Sequence, residues 1–272
     1  MSLLKVNNLH TYFTTQQGLI KAVQGISFEV QKGKTLGIVG ESGSGKSQTA
    51  ISILKLFERN QKIYQGEIIF DNRIISTLEE KEMQKIRGNE IAMIFQDATT
   101  SLNPVFKIKN QIMEVLILHK KLNKKEAYQK TFEILEKVKI PNVKRVMELY
   151  PHQLSGGMCQ RVMIAMALVC RPKLLISDES TTALDVIVQK EILNLIKELQ
   201  QENETSVLFI THDLGVVSQV ADDIIVMYKG KIVEKDSTQE ILQKPKHHYT
   251  KNLLANFLKT GVGYQNFNLK KE

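Results

Sequence analysis

Residues 40–47, with the sequence GESGSGKS, combine residue types that can hold phosphate groups. Gly40 stands five positions before Gly45, which Lys46 and Ser47 follow, and this spacing fits the pattern G-x-x-x-x-G-K-[ST]. Glycines let successive backbone N–H groups turn towards phosphate oxygens, and a helix that starts after the loop adds the positive end of its dipole. The Lys46 ammonium would neutralise the β and γ phosphates of a nucleotide, and the Ser47 hydroxyl would coordinate Mg²⁺.

A second segment supplies the carboxylates that such a site requires. The apolar run LLIS at residues 174–177 is followed by Asp178 and Glu179. At the end of a buried strand, Asp178 can hold Mg²⁺ through water, and Glu179 can polarise a water molecule that attacks the terminal phosphate. Together with the phosphate loop, this pair predicts a site that hydrolyses a nucleotide.

A second glycine-rich motif, LSGGMCQ at residues 154–160, opens the helix-like run RVMIAMALVC and precedes the two carboxylates. In this position it resembles the signature motif of the ATP-binding cassette (ABC) ATPases. In that family the motif is used across a dimer, so the resemblance implies that Ser155, Gly156 and Gly157 contact the γ phosphate of ATP bound to the partner's phosphate loop. The physical basis is again the binding of an anion at a helix N-terminus.

Further positions match the ABC family one by one. Gln96 in IFQD resembles the loop glutamine that touches Mg²⁺ and the attacking water, and Asp185 in ALD resembles the aspartate of the dimer-contact loop. His212 in ITHD resembles the switch histidine that senses the γ phosphate. Phe13, or alternatively Tyr12, would stack on adenine, although a core aromatic residue would show the same pattern.

The resemblance therefore implies catalytic roles for Glu179, His212 and Gln96; ligation of Mg²⁺ by Ser47, Gln96 and Asp178; and contacts with ATP by Phe13, Gly40, Ser42, Gly43, Ser44, Gly45, Lys46, Ser47, Gln48, Gln96, Asp178, Ser155, Gly156, Gly157 and Asp185.

The elements that must position these residues alternate between strand and helix patterns. Before the phosphate loop, LLKVNNLHTYF and GISFEV predict strands joined by a glycine-containing turn, and TLGIVG predicts a buried strand. After it we expect a helix from Lys46, strands at GEIIFDN and EIAMIFQD, and a mostly helical insert. Strands at KLLISDE and SVLFITHD follow, with the helix VQKEILNLIKELQQE between them, and then a short helix and one strand over DIIVMYKGKIVEKD.

The ABC resemblance implies an α/β fold, with a P-loop NTPase core, an N-terminal antiparallel β subdomain and an inserted helical subdomain. One ATPase domain would span residues 1–272, with the helical subdomain at about 98–165 and a C-terminal tail at about 230–272.

Composition limits the classes of protein to consider. The chain has 272 residues, of which 42% are hydrophobic and 24% charged, enough for one large core or a core with an attached subdomain. Its net charge of +8 suits an anionic partner without selecting among nucleotide, nucleic acid and a lipid surface. No stretch approaches the roughly 18 apolar residues of a membrane span, and the N-terminus lacks a signal-peptide pattern. Two cysteines are too few for a zinc site or an iron–sulfur cluster.

Several segments further resemble the ATPase subunits of the oligopeptide, dipeptide and nickel importers, namely FQDATTSLNP, QRVMIAMAL, TTALDV, THDLGVVSQVADDIIVMYKGKIVE and the tail PKHHYTKNLL. Four positions depart from that group. Ala98, Ser180 and His248 stand where proline is usual, and Cys159 stands where arginine is common. Because Ser180 follows Glu179, the loss of a rigid residue there leaves the rate of hydrolysis open.

The resemblance implies an ATP-hydrolysing subunit that drives uptake of oligopeptides or dipeptides, with ATP and Mg²⁺ as cofactors. One set of motifs per chain requires a pair, formed with itself or with a second, related ATPase subunit. Two integral membrane permease subunits would bind the helical insert, an external solute-binding protein would act indirectly, and the chain would lie peripherally at the cytoplasmic face of the cell membrane.

Two alternatives remain at this point. The first is the same role in the import of nickel or a metal chelate, which also fits the sequence because the substrate never touches this chain. An ABC ATPase associated with nucleic acid would suit the positive charge. Such proteins carry long coiled coils or a second cassette, for which 272 residues leave no room, so we expect no nucleic-acid partner.

Overall fold

The computed structural model describes residues 1–16, 18–179 and 186–259. Its strands are β1 Ser2–Thr15, β2 Gly18–Gln31, β3 Thr35–Val39, β4 Gln61–Phe70, β5 Arg73–Ile74, β6 Ile91–Ile94, β7 Leu174–Asp178, β8 Ser206–Thr211, β9 Asp223–Tyr228 and β10 Lys231–Ser237. Its helices are α1 Lys46–Leu54, α2 Glu80–Ile86, α3 Ala98–Ser101, α4 Ile108–Lys120, α5 Lys124–Lys137, α6 Val143–Met147, α7 Gly156–Leu168, α8 Val186–Asn203, α9 Leu214–Val217, α10 Thr238–Gln243 and α11 His248–Lys259, with a 3₁₀ turn at Pro151–Gln153.

The chain forms two compact units. Among the described residues, the first comprises those of Met1–Leu78 and of the chain from Ser206 to Lys259, and the second comprises those of Glu79–Thr205. Within the described residues, no helix combines the length and the apolar character needed to cross a bilayer.

The first unit begins with an antiparallel sheet. Its strands lie in the order β2-β1-β4-β5, and the β1–β2 hairpin ends where Thr15 pairs with Gly18. Leu4, Val6 and Leu9 of β1 are fully buried, whereas the intervening polar residues are more exposed, as the alternation of apolar and polar residues requires. The predicted N-terminal antiparallel subdomain is confirmed.

The phosphate loop leaves a central strand of the same unit. β3 pairs in parallel with β8 on one side and with β9 on the other. Every residue of β3 and of β8 is buried, which explains why both strands are almost entirely apolar in sequence. The loop therefore starts at the carboxyl end of a strand that is held on both sides.

One predicted element is wrong. The segment DIIVMYKGKIVEKD forms two antiparallel strands, β9 and β10, and not one. The chain reverses at Lys229 and Gly230, whose φ angles are +48° and +79°. Two consecutive residues with positive φ make a tight hairpin turn, and Gly230 allows it at little cost.

The second unit contains β6 and β7, which pair in parallel from Ile91 opposite Leu174 to Ile94 opposite Ser177. The chain between these two strands is helical, from α3 to α7. Val162, Met163, Ile164 and other apolar residues of α7 are buried, so α7 is a core helix of this unit. The bounds of about 98–165 for a helical subdomain, and of about 230–272 for the tail, stay predictions.

Candidate functional site

The backbone of the phosphate loop requires glycine at both ends. Gly40 has φ +156°, and a Cβ at this position would lie 2.2 Å from the carbonyl oxygen of Met227 in β9. Gly45, the residue before α1, has φ +101°, and a Cβ there would lie 2.5 Å from the carbonyl oxygen of Ala22 in β2. A side chain at either position would clash with backbone, so the spacing of the two glycines is set by close packing against other strands.

Lys46 lies inside the curve of this loop. Its side chain is only 4% exposed, and its ammonium group donates hydrogen bonds to the carbonyl oxygens of Gly40 at 2.8 Å and Glu41 at 2.9 Å. The Glu41 carbonyl also accepts a hydrogen bond from the Ser44 amide at 3.1 Å. A buried ammonium needs such partners, because its desolvation is costly. The loop thus wraps around the charge that would meet a phosphate.

The loop and the first turn of α1 also contain donors suited to an anion. Within the described residues, Ser44 Oγ and Gln48 Nε2 are buried without a hydrogen-bond partner, which is a costly state for a polar group. Gly43 has φ +77°, and a Cβ there would meet nothing within 4 Å. Buried donors without partners, two residues before and two residues after a buried ammonium in the sequence, are groups that a phosphate can satisfy, so the residues present fit a nucleotide phosphate.

The two aromatic candidates for adenine stacking differ in their contacts. The Tyr12 hydroxyl lies 2.8 Å from His10 Nδ1, and the Tyr12 ring lies against the ring of Tyr64 with centroids 4.8 Å apart. Phe13 is partly exposed and pairs in the sheet with Ile20 and Gln61. Because Tyr12 is already held by neighbouring side chains, the structure favours Phe13 for this role, which stays a prediction.

In the second unit, the structure brings two predicted catalytic side chains together. The Gln96 Nε2 atom donates a hydrogen bond to Glu179 Oε2 at 3.2 Å. Gln96 follows β6 and Glu179 follows β7; since these strands are parallel neighbours, their carboxyl ends meet at one edge. Asp178, the last residue of β7, is only 7% exposed. Glu179 has φ +46°, an uncommon conformation for a residue with a side chain.

Ser180 and Asp185, for which the sequence predicts an effect on rate and a dimer contact, lie outside the described residues.

The signature motif forms the start of α7. Ser155 is the N-cap residue, and its hydroxyl accepts a hydrogen bond from the Met158 amide at 3.4 Å. Gly156 is exposed, and a Cβ there would meet no atom within 4 Å, whereas a Cβ at Gly157 would touch Val188 at 3.6 Å. The exposed helix start has the positive dipole end and amide groups that bind anions.

His212 comes directly after β8 and is exposed. The next residue, Asp213, caps α9 by accepting hydrogen bonds from the amides of Gly215 at 2.7 Å and Val216 at 3.3 Å. The backbone on either side of His212 is therefore fixed by a buried strand and by a capped turn.

Two residues near these motifs were not predicted from the sequence. Arg161 of α7 donates to the Val138 carbonyl oxygen at 3.0 Å and to the Glu191 carboxylate at 2.5 Å, and so ties the signature helix to α8. Tyr249 of α11 accepts a hydrogen bond from the Glu41 amide of the phosphate loop at 2.9 Å. The run QRVMIAM contains the arginine, but no local pattern could have indicated which residues it contacts.

Comparison with known proteins gives the family. The sequence model of the ABC transporter family matches residues 23–182. The oligopeptide transport ATP-binding protein AppD of Bacillus subtilis (strain 168) is 52% identical over 255 residues, which cover 93% of this chain and 78% of AppD. The dipeptide transport ATP-binding protein DppD of the same strain is 50% identical over 253 residues, which cover 93% of this chain and 76% of DppD.

The fold is also similar to that of a solved ATP-binding cassette. The ATP-binding cassette MJ0796, in a dimeric post-hydrolysis state bound to ADP and Pi, superposes with a TM-score of 0.78 at 29% identity, over 86% of this chain and 98% of MJ0796. The family match covers more than half of the chain and includes the phosphate loop, the signature motif, Asp178 and Glu179. The chain belongs to the ABC transporter family.

Proposed function

We propose that the chain is the ATP-hydrolysing subunit of a membrane importer that takes up oligopeptides or dipeptides. ATP binding is supported by the geometry of the phosphate loop, which encloses the buried Lys46 ammonium and leaves Ser44 Oγ without a hydrogen-bond partner among the described residues. The peptide substrate rests on the relatives, which are named as ATP-binding proteins of oligopeptide and dipeptide transport.

In this proposal the residues of the first unit bind and neutralise ATP. The Lys46 ammonium gives up its hydrogen bonds to the two loop carbonyls and donates to the β and γ phosphates instead. Ser44 Oγ and the loop amides also donate to phosphate oxygens. Phe13 stacks on the adenine ring. His212 contacts the γ phosphate and so distinguishes ATP from ADP.

The carboxylates of the second unit carry the chemical step. Glu179 accepts a proton from the water that attacks the γ phosphate, and the hydrogen bond from Gln96 holds the Glu179 carboxylate in one orientation. The Ser47 hydroxyl, the Asp178 carboxylate and the Gln96 amide oxygen are hard oxygen donors of the kind that Mg²⁺ prefers, and we assign them as its ligands. Bound Mg²⁺ would offset the negative charge of the β and γ phosphates.

The importer requires further subunits. Because the chain carries one phosphate loop and one signature motif, two complete sites need a pair of ATPase subunits, formed with a second copy or with a related chain. Two permease subunits would provide the path across the membrane at whose cytoplasmic face this chain acts, and an external binding protein would select the peptide.

Replacing Glu179 tests the catalytic assignment. Glu179→Gln keeps the shape of the side chain and an oxygen that can accept from Gln96, but it loses the basicity. We expect ATP affinity within a few-fold of wild type and a turnover rate lower by at least about 100-fold. The matched control is Glu198→Gln, since Glu198 is exposed and joined only loosely to Lys139 at 3.7 Å. Wild-type turnover in the Glu179→Gln protein would show that another group is the base.

Replacing Gly156 tests the shared site. A side chain at Gly156 has free space in this chain, and an aspartate in the first turn of α7 is favourable for the helix dipole. Gly156→Asp should therefore fold normally and bind ATP at its own phosphate loop, yet block turnover at the partner's site. Mixing it with Lys46→Ala chains creates one pocket with both defects and one with two intact halves, so activity should partly return in the mixed dimers.

Two outcomes decide that experiment, which uses this chain if it pairs with itself, or its natural partner with matching changes. In the first, mixed dimers are shown to form and still recover no activity, while Gly156→Asp binds ATP normally and Lys46→Ala binds it weakly. That result would mean that turnover requires both sites of the dimer to be intact. A Gly156→Asp chain that cannot bind ATP by itself would contradict the shared-site assignment.

Uptake in the organism of origin tests the substrate. Deleting the gene should abolish uptake of radiolabelled dipeptides or oligopeptides, and restoring the wild-type chain, but not Lys46→Ala, should recover it. Loss of nickel uptake with normal peptide uptake would assign the metal substrate. ATP-dependent binding of nucleic acid by the purified chain at physiological salt, with normal uptake of both substrates, would overturn the importer proposal.

A further inference from the structure

The C-terminal segment reaches the phosphate loop within the first unit. The Glu41 amide donates a hydrogen bond to the Tyr249 hydroxyl oxygen at 2.9 Å, although the two residues are 208 positions apart. The Tyr249 ring lies against the Tyr228 ring of β9, with centroids 4.4 Å apart. Burial raises the pKa of Tyr249, so the hydroxyl stays neutral near pH 7. A tyrosine thus supplies the acceptor for a loop amide from outside the loop.

This hydrogen bond completes the support of one peptide group. The Gly40 carbonyl oxygen accepts from the Lys46 ammonium at 2.8 Å, and the amide of the same Gly40–Glu41 peptide donates to Tyr249. In a trans peptide the C=O and N–H groups point in opposite directions, so two partners on opposite sides fix the rotation of its plane. The Gly40–Glu41 peptide is thereby held by the loop's own lysine and by α11.

The chain before Tyr249 is itself anchored. Glu234 of β10 is only 9% exposed and accepts hydrogen bonds from the amides of Lys246 at 2.7 Å and His247 at 3.0 Å. Burial acts to raise the pKa of Glu234, but hydrogen bonds, including those from the two amides, and the Lys246 charge together hold the pKa below its ordinary value. The carboxylate is therefore charged at pH 7, and it fixes the two residues that precede α11.

The other end of α11 is also held. The Phe257 ring packs directly on Gly215 of α9, where a Cβ would lie 2.2 Å from a ring carbon. α11 is thus fixed near its start by Glu234 and near its end by α9, so the position of the Tyr249 hydroxyl is determined by the fold and not by the exposed loop alone.

We infer that Tyr249 is a positioning residue for nucleotide binding, which holds the Gly40–Glu41 peptide so that the loop and the Lys46 ammonium are pre-organised for a nucleoside triphosphate. This inference rests on the proposed ATPase function. It gives the C-terminal segment a role at the phosphate loop, because the segment supplies a contact that the loop cannot make by itself. Pre-organisation lowers the cost of ordering the loop on binding, so it acts on affinity.

The test is Tyr249→Phe in the full chain, which removes the acceptor and keeps the ring against Tyr228. We expect the KM and the dissociation constant for ATP to rise about two- to ten-fold, the range for one hydrogen bond, with kcat changed much less. Amide hydrogen exchange of the phosphate-loop peptide in the nucleotide-free chain should become faster. The matched control is Tyr228→Phe, which removes a hydroxyl from the stacked partner and should leave all three quantities unchanged.

The outcomes separate this inference from the proposed function. A wild-type chain that neither binds nor hydrolyses ATP would refute the proposed function. In that case faster loop exchange in Tyr249→Phe would still support the positioning role of Tyr249, and unchanged exchange would overturn it. Active wild type with the same ATP affinity and loop exchange in Tyr249→Phe would overturn the inference. A lower melting temperature with unchanged ATP affinity, or equal effects in both variants, would also overturn it, because the role would then be structural packing. If Tyr249→Phe folds poorly, Glu234→Gln, which loosens the anchor of α11, must raise the KM for ATP or the inference fails.

Discussion

The hydrogen bonds from the Lys46 ammonium to the carbonyl oxygens of Gly40 and Glu41 set the shape of the phosphate loop. A buried lysine must have such partners, and hydrogen bonds to a charged group contribute about 1.5–3 kcal/mol each. The loop therefore closes around the charge that the proposed function assigns to ATP. In the proposed function the Lys46 ammonium would donate to phosphate oxygens in place of the two carbonyls, so it would have acceptors both before and after nucleotide binding.

The loop keeps this shape because distant parts of the first unit hold it from outside. The Ala22 carbonyl oxygen of β2 leaves no space for a side chain at position 45. The amide of Gly230, in the β9–β10 turn, donates a hydrogen bond to the Ser44 carbonyl oxygen at 3.0 Å. The Tyr249 hydroxyl oxygen accepts a hydrogen bond from the Glu41 amide. These contacts from three separate segments order the glycine-rich loop before a ligand binds, so less conformational entropy is lost on binding.

Local sequence patterns predict the parts of the fold that depend on neighbouring residues. The phosphate loop, the start of α1 at Lys46 and the buried β3 follow from glycine spacing and from an apolar run, and the structure has all three. These patterns do not predict the β9–β10 hairpin, because apolar residues continue on both sides of Lys229 and Gly230 and suggest one long strand, whereas the positive φ angles of these two residues make a turn. The contact of Gly230 with the loop depends on that turn. The hydrogen bonds of Tyr249 with Glu41 and of Gln96 with Glu179 join residues far apart in sequence, where no periodicity can report a distance.

In the proposed function the Lys46 ammonium holds the phosphates of ATP, so removing that ammonium is the decisive experiment. Calorimetric titration with Mg²⁺–ATP and steady-state hydrolysis should be measured for wild type, Lys46→Ala and the control Lys5→Ala, whose side chain is 45% exposed. We expect Lys46→Ala to lose at least about 100-fold in turnover and to bind ATP more weakly, since a charged contact with the transferred phosphoryl group is gone. Lys5→Ala should match wild type. Normal ATP affinity together with retained hydrolysis in Lys46→Ala would contradict this role of Lys46.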